Sequence, residues 1–419
     1  MLTIIAIVFV LAYAAIALEH PLKIGKSGTA LFAGGLLWAL WAFAAPATEG
    51  VVAQLTEHLS GIAAILLFLL GAMSIVEYMN THDSFSIITD NIKTKRKLPL
   101  LWIIAWVTFF LSSMLDNLTT TILMISLTRK LVEEREDRMF FAGIIVIAAN
   151  AGGAWTPIGD ATTTMLWIGG QVTSWPIMKT VFLPSILNLA VPLLCISPFL
   201  KGSVQAPDGK EEVHGVTKTE SVLMLLLGLG TLVGVPVFKA ITHLPPYMGI
   251  LMGLGLMWIL GEMLHRSKDA DERARLSLTA VLPRVDLNSI FFFAGILLAV
   301  ASLQATGQLG ALAVWLGETL GSQSLVVIAI GLVSAIVDNI PLVAASQGMY
   351  SLAAHPTDSP LWSFLAYCAG TGGSILIIGS ASGVAAMGLE KIDFFWYVKK
   401  ITPWAFLGYF AGVGAFLLF

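Results

Sequence analysis

Residues 112–117 read Ser-Ser-Met-Leu-Asp-Asn, and residues 150–163 read Asn-Ala-Gly-Gly-Ala-Trp-Thr-Pro-Ile-Gly-Asp-Ala-Thr-Thr. A related pair follows later in the chain: Ser-Ala-Ile-Val-Asp-Asn at 334–339 and Gly-Thr-Gly-Gly-Ser-Ile-Leu-Ile-Ile-Gly-Ser-Ala-Ser at 370–382. The two Asp-Asn pairs lie 222 residues apart (338 − 116), and the Gly-Gly pairs lie 220 apart (372 − 152). Each copy places an acid-amide pair inside an apolar stretch and then a glycine-broken apolar segment. The chain is therefore predicted to contain one structural unit twice.

The composition around these motifs is typical of a membrane protein. Hydrophobic residues make up 57% of the chain and charged residues 12%, whereas about a quarter of the residues in soluble domains are charged. The apolar residues form runs close to the roughly 20 residues that cross a bilayer. A net charge of −3 and the lack of a long basic run argue against a nucleic-acid partner. The lipid bilayer is the expected partner, and no protein partner is evident.

Basic residues flank the first Asp-Asn pair on both sides. Lysines and arginines occur at 93, 95, 96 and 97 before it and at 129, 130, 135 and 138 after it. The positive-inside rule places both flanks in the cytoplasm, so residues 99–131 are predicted to form a re-entrant hairpin with the Asp-Asn pair near its tip. The segment at about 139–170 is too long for one ordinary span and is interrupted by glycines. It is predicted to form a broken helix.

The second copy lacks the basic flanks of the first. The flanks of its hairpin, at about 323–354, contain no Lys or Arg, so this hairpin is predicted to enter from the outside. A second broken helix follows at about 361–389, and both termini are predicted on the periplasmic side. The predicted fold is an all-α polytopic membrane protein with inverted-topology repeats, each containing a re-entrant hairpin and a broken transmembrane helix. That architecture is typical of secondary transporters.

The chain divides into four predicted parts. They are a first transmembrane span and loop (1–27), repeat 1 (28–200), a linker loop with a connecting span (201–245) and repeat 2 (246–419).

Polar side chains at the four breaks predict an ion site near the middle of the membrane. Irregular backbone at this depth is expected only where it is buried in protein or lines a cavity. The candidate ion- and proton-binding residues supply oxygen atoms; they are Asp116, Asn117, Asn150, Thr156, Asp160, Thr162, Thr163, Asp338, Asn339, Ser380 and Ser382. The glycines expected to permit the breaks are Gly152, Gly153, Gly159, Gly372, Gly373 and Gly379.

The sign of the intramembrane charges favours a cation. Neither motif contains Lys or Arg, so Asp116, Asp160 and Asp338 are expected to lack an internal cationic partner and to bind Na⁺, protons or both in turn. Competition between Na⁺ and H⁺ for the same oxygens, with alternating access, predicts antiport. Because Asp160 aligns with Ser380 in the second copy, Asp160 and Asp116 are expected to matter most for proton coupling. Asp338 would complete the pocket.

The two motif pairs resemble those of the NhaD-type Na⁺/H⁺ antiporters of the ion transporter superfamily, over nearly the whole chain from about residue 28. The resemblance implies two hairpins, paired broken helices, a scaffold domain, a transport domain and a homodimer. It also implies export of Na⁺ or Li⁺ against proton uptake in a bacterial inner membrane, and hence roles in salt tolerance and pH homeostasis. The transported ions are the only ligands it implies, with no cofactor and no enzymatic activity.

Other interpretations remain open. A Na⁺-coupled anion or carboxylate transporter of the same superfamily would use the acids for Na⁺, although little besides helix ends would hold its anion. An intramembrane aspartyl protease would leave the third aspartate and the repeat unexplained. A channel suits hairpins from both sides less well than alternating access does. Each aspartate would alternatively serve only to cap the N-terminus of a half-helix.

Overall fold

The computed structural model describes residues 2–45, 47–87, 92, 94–204 and 216–418. Lys93 and residues 205–215 of the predicted linker loop lie outside the described residues. Within the described ranges the chain forms helices and no strand, with one isolated bridge between Arg96 and Ser203.

The helices are numbered in chain order. They are α1 (Leu2–Ala17), α2 (Glu19–Leu22), α3 (Lys26–Ala44), α4 (Thr48–Thr81), α5 (Lys97–Ser112), α6 (Asn117–Arg129), α7 (Arg135–Ala154), α8 (Ala161–Ile168), α9 (Ser174–Ile196), α10 (Lys218–Thr242), α11 (Pro246–Leu264), α12 (Ala270–Leu276), α13 (Leu278–Val281), α14 (Leu287–Ala305), α15 (Gln308–Leu320), α16 (Gln323–Val333), α17 (Asn339–Met349), α18 (Pro360–Gly372), α19 (Ala381–Glu390), α20 (Phe394–Lys400) and α21 (Thr402–Leu418), with a 3₁₀ turn at Leu282–Arg284.

Six of the described helices are long and apolar enough to cross a bilayer: α3, α4, α9, α10, α11 and α14. Two further pairs reach that length only as bent units, α15 with α16 at 109° and α20 with α21 at 54°. Many large apolar side chains of these spanning helices are exposed on the surface of the protein. This is expected where the surrounding medium is lipid rather than water. The chain is therefore a multi-pass membrane protein.

The first hairpin consists of α5 and α6, and the first broken helix of α7 and α8. A side-chain bond ties the two together, because Ser112 Oγ donates to the carbonyl of Ala149 at 2.7 Å. Both interruptions, at 113–116 and 155–160, fall at the predicted motifs.

The second hairpin consists of α16 and α17, and the second broken helix of α18 and α19. The equivalent bond recurs, with Ser334 Oγ donating to the carbonyl of Ala369 at 2.8 Å. The predicted fold class is confirmed, since the chain is all-α and polytopic with two hairpins and two broken helices. One element was not predicted: α15 lies in the expected flank of the second hairpin, and only Leu309 of that helix is buried.

Two sets of polar contacts, which we call clasps, join the broken helices at opposite ends. At one end Glu390, which closes α19, accepts from Arg129 Nε at 2.6 Å and from Arg138 Nε at 3.2 Å. At the other end Asp358, before α18, accepts from the backbone N–H of Thr173 at 2.6 Å and from its hydroxyl at 2.7 Å. The elements that carry the repeated motifs are therefore fastened together twice.

A buried histidine pair links α4, α10 and α11. His82 and His265 follow the C-terminal ends of α4 and α11, and their Nε2 atoms lie 3.2 Å apart. Ser221 of α10 donates its hydroxyl to the carbonyl of His82 at 2.7 Å. His82 Nδ1 faces the carbonyl of Tyr78 at 2.7 Å, so Nδ1 must carry the proton and His265 Nε2 must be the donor within the pair.

Candidate functional site

Asp160 lies at the centre of the site and is 1% exposed. It caps the N-terminus of α8, because its Oδ1 accepts from the backbone N–H of Thr162 at 2.8 Å and from the Thr162 hydroxyl at 2.7 Å. Its other oxygen, Oδ2, accepts from Asn117 Nδ2 at 2.8 Å and faces Asn339 Nδ2 at 3.5 Å. The amides at the tips of both hairpins thus meet at one carboxylate.

The amides extend this contact to the second broken helix. Asn117 Nδ2 also donates to Asn150 Oδ1 at 3.0 Å, and Asn150 Nδ2 donates to Ser380 Oγ at 3.0 Å. Ser380 in turn caps α19 by accepting from the N–H of Gly383 at 3.2 Å. We call the hydrogen-bonded series Asn117, Asn150 and Ser380 the amide chain. Together with the contact between Asn339 and Asp160, it brings the four sequence breaks together, as the repetition predicted.

The other two aspartates lie at the hairpin tips as helix caps. Asp116 Oδ1 accepts from the N–H of Thr119 at 2.8 Å and its Oδ2 accepts from the Thr119 hydroxyl at 2.5 Å. Asp338 Oδ1 accepts from the N–H of Ile340 at 3.3 Å. Asp116, Asp160 and Asp338 line a single cavity, which we call the aspartate cavity.

Much of the remaining lining of the aspartate cavity is an apolar wall. Side chains of α4, α10 and α14 form it, among them Phe68, Met73, Leu232 and Phe293, with Ser289 adding a hydroxyl. No Lys or Arg is among the residues that line the aspartate cavity. The polar residues that line the aspartate cavity are therefore mainly carboxylates and amides. Such a lining suits a cation better than an anion.

Asp338 nevertheless has a cationic partner. Lys26, in the first turn of α3, places its Nζ 3.7 Å from Asp338 Oδ2. The expectation that all three aspartates lack such a partner is wrong for Asp338, because the partner comes from a helix end far away in sequence. Asp116 and Asp160 have no Lys or Arg ion pair within the described residues.

The hydroxyl side chains divide into two groups. Thr162 bonds to Asp160, but Thr156 donates to the carbonyl of Ser113 at 2.6 Å and Thr163 to that of Ala154 at 3.2 Å. Thr156 and Thr163 thus tie backbone segments together. The Ser382 hydroxyl is buried and has no hydrogen-bond partner in the described part of the chain.

The motif glycines permit close backbone packing. A Cβ at Gly152 would lie 2.1 Å from the carbonyl oxygen of Phe109, and one at Gly372 would lie 2.0 Å from that of Gly331. Gly153, Gly159, Gly373 and Gly379 are similarly close to backbone or motif atoms. The glycines therefore bring each hairpin against its broken helix.

The three aspartates do not converge on one point. In the described ranges no group of three or more His, Cys, Asp or Glu side chains is placed to hold a metal ion. Asp160 instead has amides and a hydroxyl around it. A single Na⁺ held by all three carboxylates would require them to move together.

Sequence reasoning missed Lys26, Ser289 and the apolar wall. The wall comes from ordinary membrane spans whose composition carries no distinguishing signal. The sequence gives no sign of a role for Lys26, since a basic residue at a span end is normally solvated.

Comparison with known proteins places the chain among membrane transporters. A family model described as a citrate transporter (CitMHS) matches residues 8–370. The chain is 50% identical to sodium/proton antiporter 1 of Arabidopsis thaliana, over 98% of this chain and 71% of that protein. It is 34% identical to the Na⁺/H⁺ antiporter NhaD of Vibrio cholerae, over 98% of this chain and 90% of the other.

A solved structure has the same fold. The Alcanivorax borkumensis YdaH transporter, described as having an unusual topology, matches with a TM-score of 0.61 over 94% of this chain and 98% of its own. Its sequence identity is 11%, so the likeness concerns the fold alone.

Proposed function

Because the chain belongs to the CitMHS family and is also 34% identical to a Na⁺/H⁺ antiporter NhaD, we propose that it exchanges Na⁺ or Li⁺ for protons. The observation that carries the proposal is the environment of Asp160. A buried carboxylate meets amides from both hairpins, in a cavity lined by two more aspartates and by no Lys or Arg.

The exchange follows from competition at Asp160. A proton neutralises the carboxylate, and a cation neutralises it equally well when oxygen ligands replace the N–H donors. Asn117 and Asn339 provide those oxygens by rotation of their amide groups, since each amide carries both a donor and an acceptor. Alternating access would then export one ion and import the other.

Asp116 and Asp338 have supporting positions in this scheme. Both line the aspartate cavity, so protonation or cation binding at either one changes the electrostatic cost of charge on Asp160. Asp116 is the second candidate proton carrier, because no Lys or Arg ion pair neutralises it in the described part of the chain.

The test measures proton movement in everted membrane vesicles that contain the protein. A preset pH gradient is challenged with NaCl, LiCl and KCl, with choline chloride as the control for chloride and ionic strength. Collapse of the gradient on Na⁺ or Li⁺ addition supports antiport. Absence of any response to these cations would contradict the proposal.

A second candidate is Na⁺-coupled transport of a carboxylate. The description of the family model, citrate transporter, favours it. The same vesicles distinguish the two, because carboxylate transport would show Na⁺-dependent uptake of radiolabelled citrate or succinate. The acidic lining of the aspartate cavity disfavours that outcome.

The placement in the membrane is also a proposal. The distribution of basic residues supports inverted repeats over 28–200 and 246–419 with both termini periplasmic. The resemblance to NhaD-type antiporters supports a homodimer in a bacterial inner membrane. The relatives include plant as well as bacterial proteins, and fractionation of native cells would identify the membrane.

A further inference from the structure

A second cavity adjoins the aspartate cavity, and Asp338 lines both. Its other polar lining residues are Tyr13, Glu19, Lys26 and Ser380. Ser380 is the end of the amide chain, so the second cavity contacts that chain at one end and Asp338 at another. We call it the lysine cavity, after the only Lys or Arg among its lining residues.

Lys26 is held in the lysine cavity by three contacts. Its backbone N–H donates to Glu19 Oε1 at 3.2 Å, which fixes the first turn of α3. Its ammonium lies 4.6 Å from the centre of the Phe292 ring, a cation–π distance. The same ammonium lies 3.7 Å from Asp338 Oδ2.

The ion pair is long and partly exposed. The side chains of Lys26 and Asp338 are 25% and 15% exposed, and 3.7 Å exceeds hydrogen-bond length. A pair at this distance has no direct hydrogen bond to break when it separates. The flexible lysine stem and the Phe292 ring allow the ammonium to leave Asp338 while keeping a favourable contact.

A further polar group faces the same space. Tyr13 lines the lysine cavity, and its hydroxyl is buried without a hydrogen-bond partner in the described part of the chain. A cation that entered the lysine cavity would therefore find oxygens from Tyr13, Glu19 and Ser380 on its way to Asp338.

We propose that Lys26 is a tethered competitor of the transported cation at Asp338. The ammonium occupies the carboxylate while the site holds no cation, and it withdraws when a cation arrives. The ion pair thereby keeps Asp338 from binding Na⁺ so tightly that release is slow. This inference rests on the proposed function and assigns a positioning role to a residue outside both motifs.

The experiment measures Na⁺ binding by thermal stabilisation of the purified protein, because a ligand that binds the folded state raises the unfolding temperature. NaCl is titrated against a choline chloride background at one pH. Lys26→Met is expected to lower the half-saturating Na⁺ concentration by roughly threefold or more, since the competitor is gone. Lys26→Arg keeps the charge and is expected to shift it less.

Two controls separate competition from structural damage. Lys23→Asn removes an exposed lysine three residues earlier and is expected to match the wild type. In an Asp338→Asn background, Lys26→Met is expected to have no further effect on Na⁺ binding, because the contested carboxylate is absent. Lys26→Gln is a second neutral variant in case Lys26→Met folds poorly.

Vesicle exchange provides the second readout. Lys26→Met is expected to lower the maximal rate of Na⁺-driven proton movement as well as the half-saturating Na⁺ concentration. An unchanged Na⁺ midpoint in both neutral variants overturns the inference, as does an effect that persists in the Asp338→Asn background. A wild type that neither binds Na⁺ nor exchanges it contradicts the proposed function itself, and the inference falls with it.

Discussion

Asp160 has two roles that one substitution separates. Its Oδ1 caps α8, while Oδ2 receives the hairpin amides. Asparagine caps helices about as well as aspartate but does not titrate. Asp160→Asn is therefore expected to keep the protein folded and to abolish Na⁺-driven proton movement in vesicles.

The matched control for Asp160→Asn is Asp393→Asn. Asp393 caps α20 through the N–H of Trp396 at 3.0 Å, but it is exposed and outside both cavities. Its substitution is expected to leave exchange unchanged. If Asp160→Asn exchanges at the wild-type rate, Asp160 is a helix cap alone and the proposed proton carrier must be sought at Asp116.

At the scale of single residues, the repeated motifs predicted which polar side chains lie at the helix breaks. They did not predict the hydrogen-bond and ion-pair partners of those side chains. The Asp-Asn pair and the Gly-Gly pair each occur twice, and Gly159-Asp160 has its counterpart in Gly379-Ser380, so the repetition itself marks these positions. The pairing of Lys26 with Asp338 joins positions 312 residues apart (338 − 26) and has no repeated counterpart to reveal it. The hydroxyls of Thr156 and Thr163 bind backbone carbonyls, a choice that only the folded geometry determines.

At the scale of elements, hairpins and broken helices depend on backbone contact at glycine. The carbonyl of Phe109 leaves no room for a side chain at Gly152, and that of Gly331 leaves none at Gly372. Gly152→Ala and Gly372→Ala are each expected to destabilise the protein by about 1–3 kcal/mol, because neither backbone is free to move aside. Thermal unfolding in detergent measures the loss.

Gly35→Ala is the control for these substitutions. Gly35 lies inside α3, and a Cβ there meets nothing within 4 Å. Alanine favours helix over glycine by up to about 1 kcal/mol, so this variant is expected to be as stable as the wild type or slightly more stable. Equal unfolding temperatures for Gly152→Ala and Gly35→Ala would show that the close approach is not needed.

The elements themselves were largely predictable from apolar run length and glycine position. Residues 139–170 were too long for one span, and the structure breaks them at 155–160. The amphipathic helix α15 was not predicted, because its sequence lies between two apolar stretches, is only 13 residues long and carries a single charged residue, Glu318. The bend between α15 and α16 falls at Gly321, which ends α15 in a left-handed conformation, and at Ser322, which caps α16.

At the scale of the whole molecule, the histidine pair makes the packing of three helices sensitive to acid. The pKa of His82 is lowered from its ordinary 6.5 to about 4, chiefly by burial and also by the neighbouring His265, while the hydrogen bond to the Tyr78 carbonyl acts in the opposite direction. Burial also lowers the pKa of His265. One added proton is accommodated by a tautomer change, but two would place N–H groups against each other.

The unfolded chain therefore binds protons at a higher pH than the folded chain does. Stability is fully present above about pH 6.5 and is expected to fall as the pH drops towards 4, by up to about 3 kcal/mol for His82. The unfolding temperature of the purified protein, measured at neutral pH and at about pH 5, tests this expectation.

His82→Gln removes the titrating group and is expected to show a smaller decrease of unfolding temperature with acid. His243→Asn, at an exposed helix end, is expected to behave like the wild type. If the wild type and His82→Gln lose stability equally on acidification, the acid sensitivity arises elsewhere. Nothing in the sequence indicated this pair, because 183 residues separate its members.

The two clasps, Glu390 with Arg129 and Arg138 at one end and Asp358 with Thr173 at the other, have a mechanical consequence. These contacts hold the two broken helices together at both ends. A displacement of one broken helix is therefore expected to move the other as well. The aspartate cavity beside the broken helices has an apolar wall that includes Phe68, Met73 and Phe293. Apolar contacts are non-directional. A shift along this wall would therefore exchange such contacts without breaking hydrogen bonds. In the proposed alternating access, the two broken helices would therefore move together past this apolar lining.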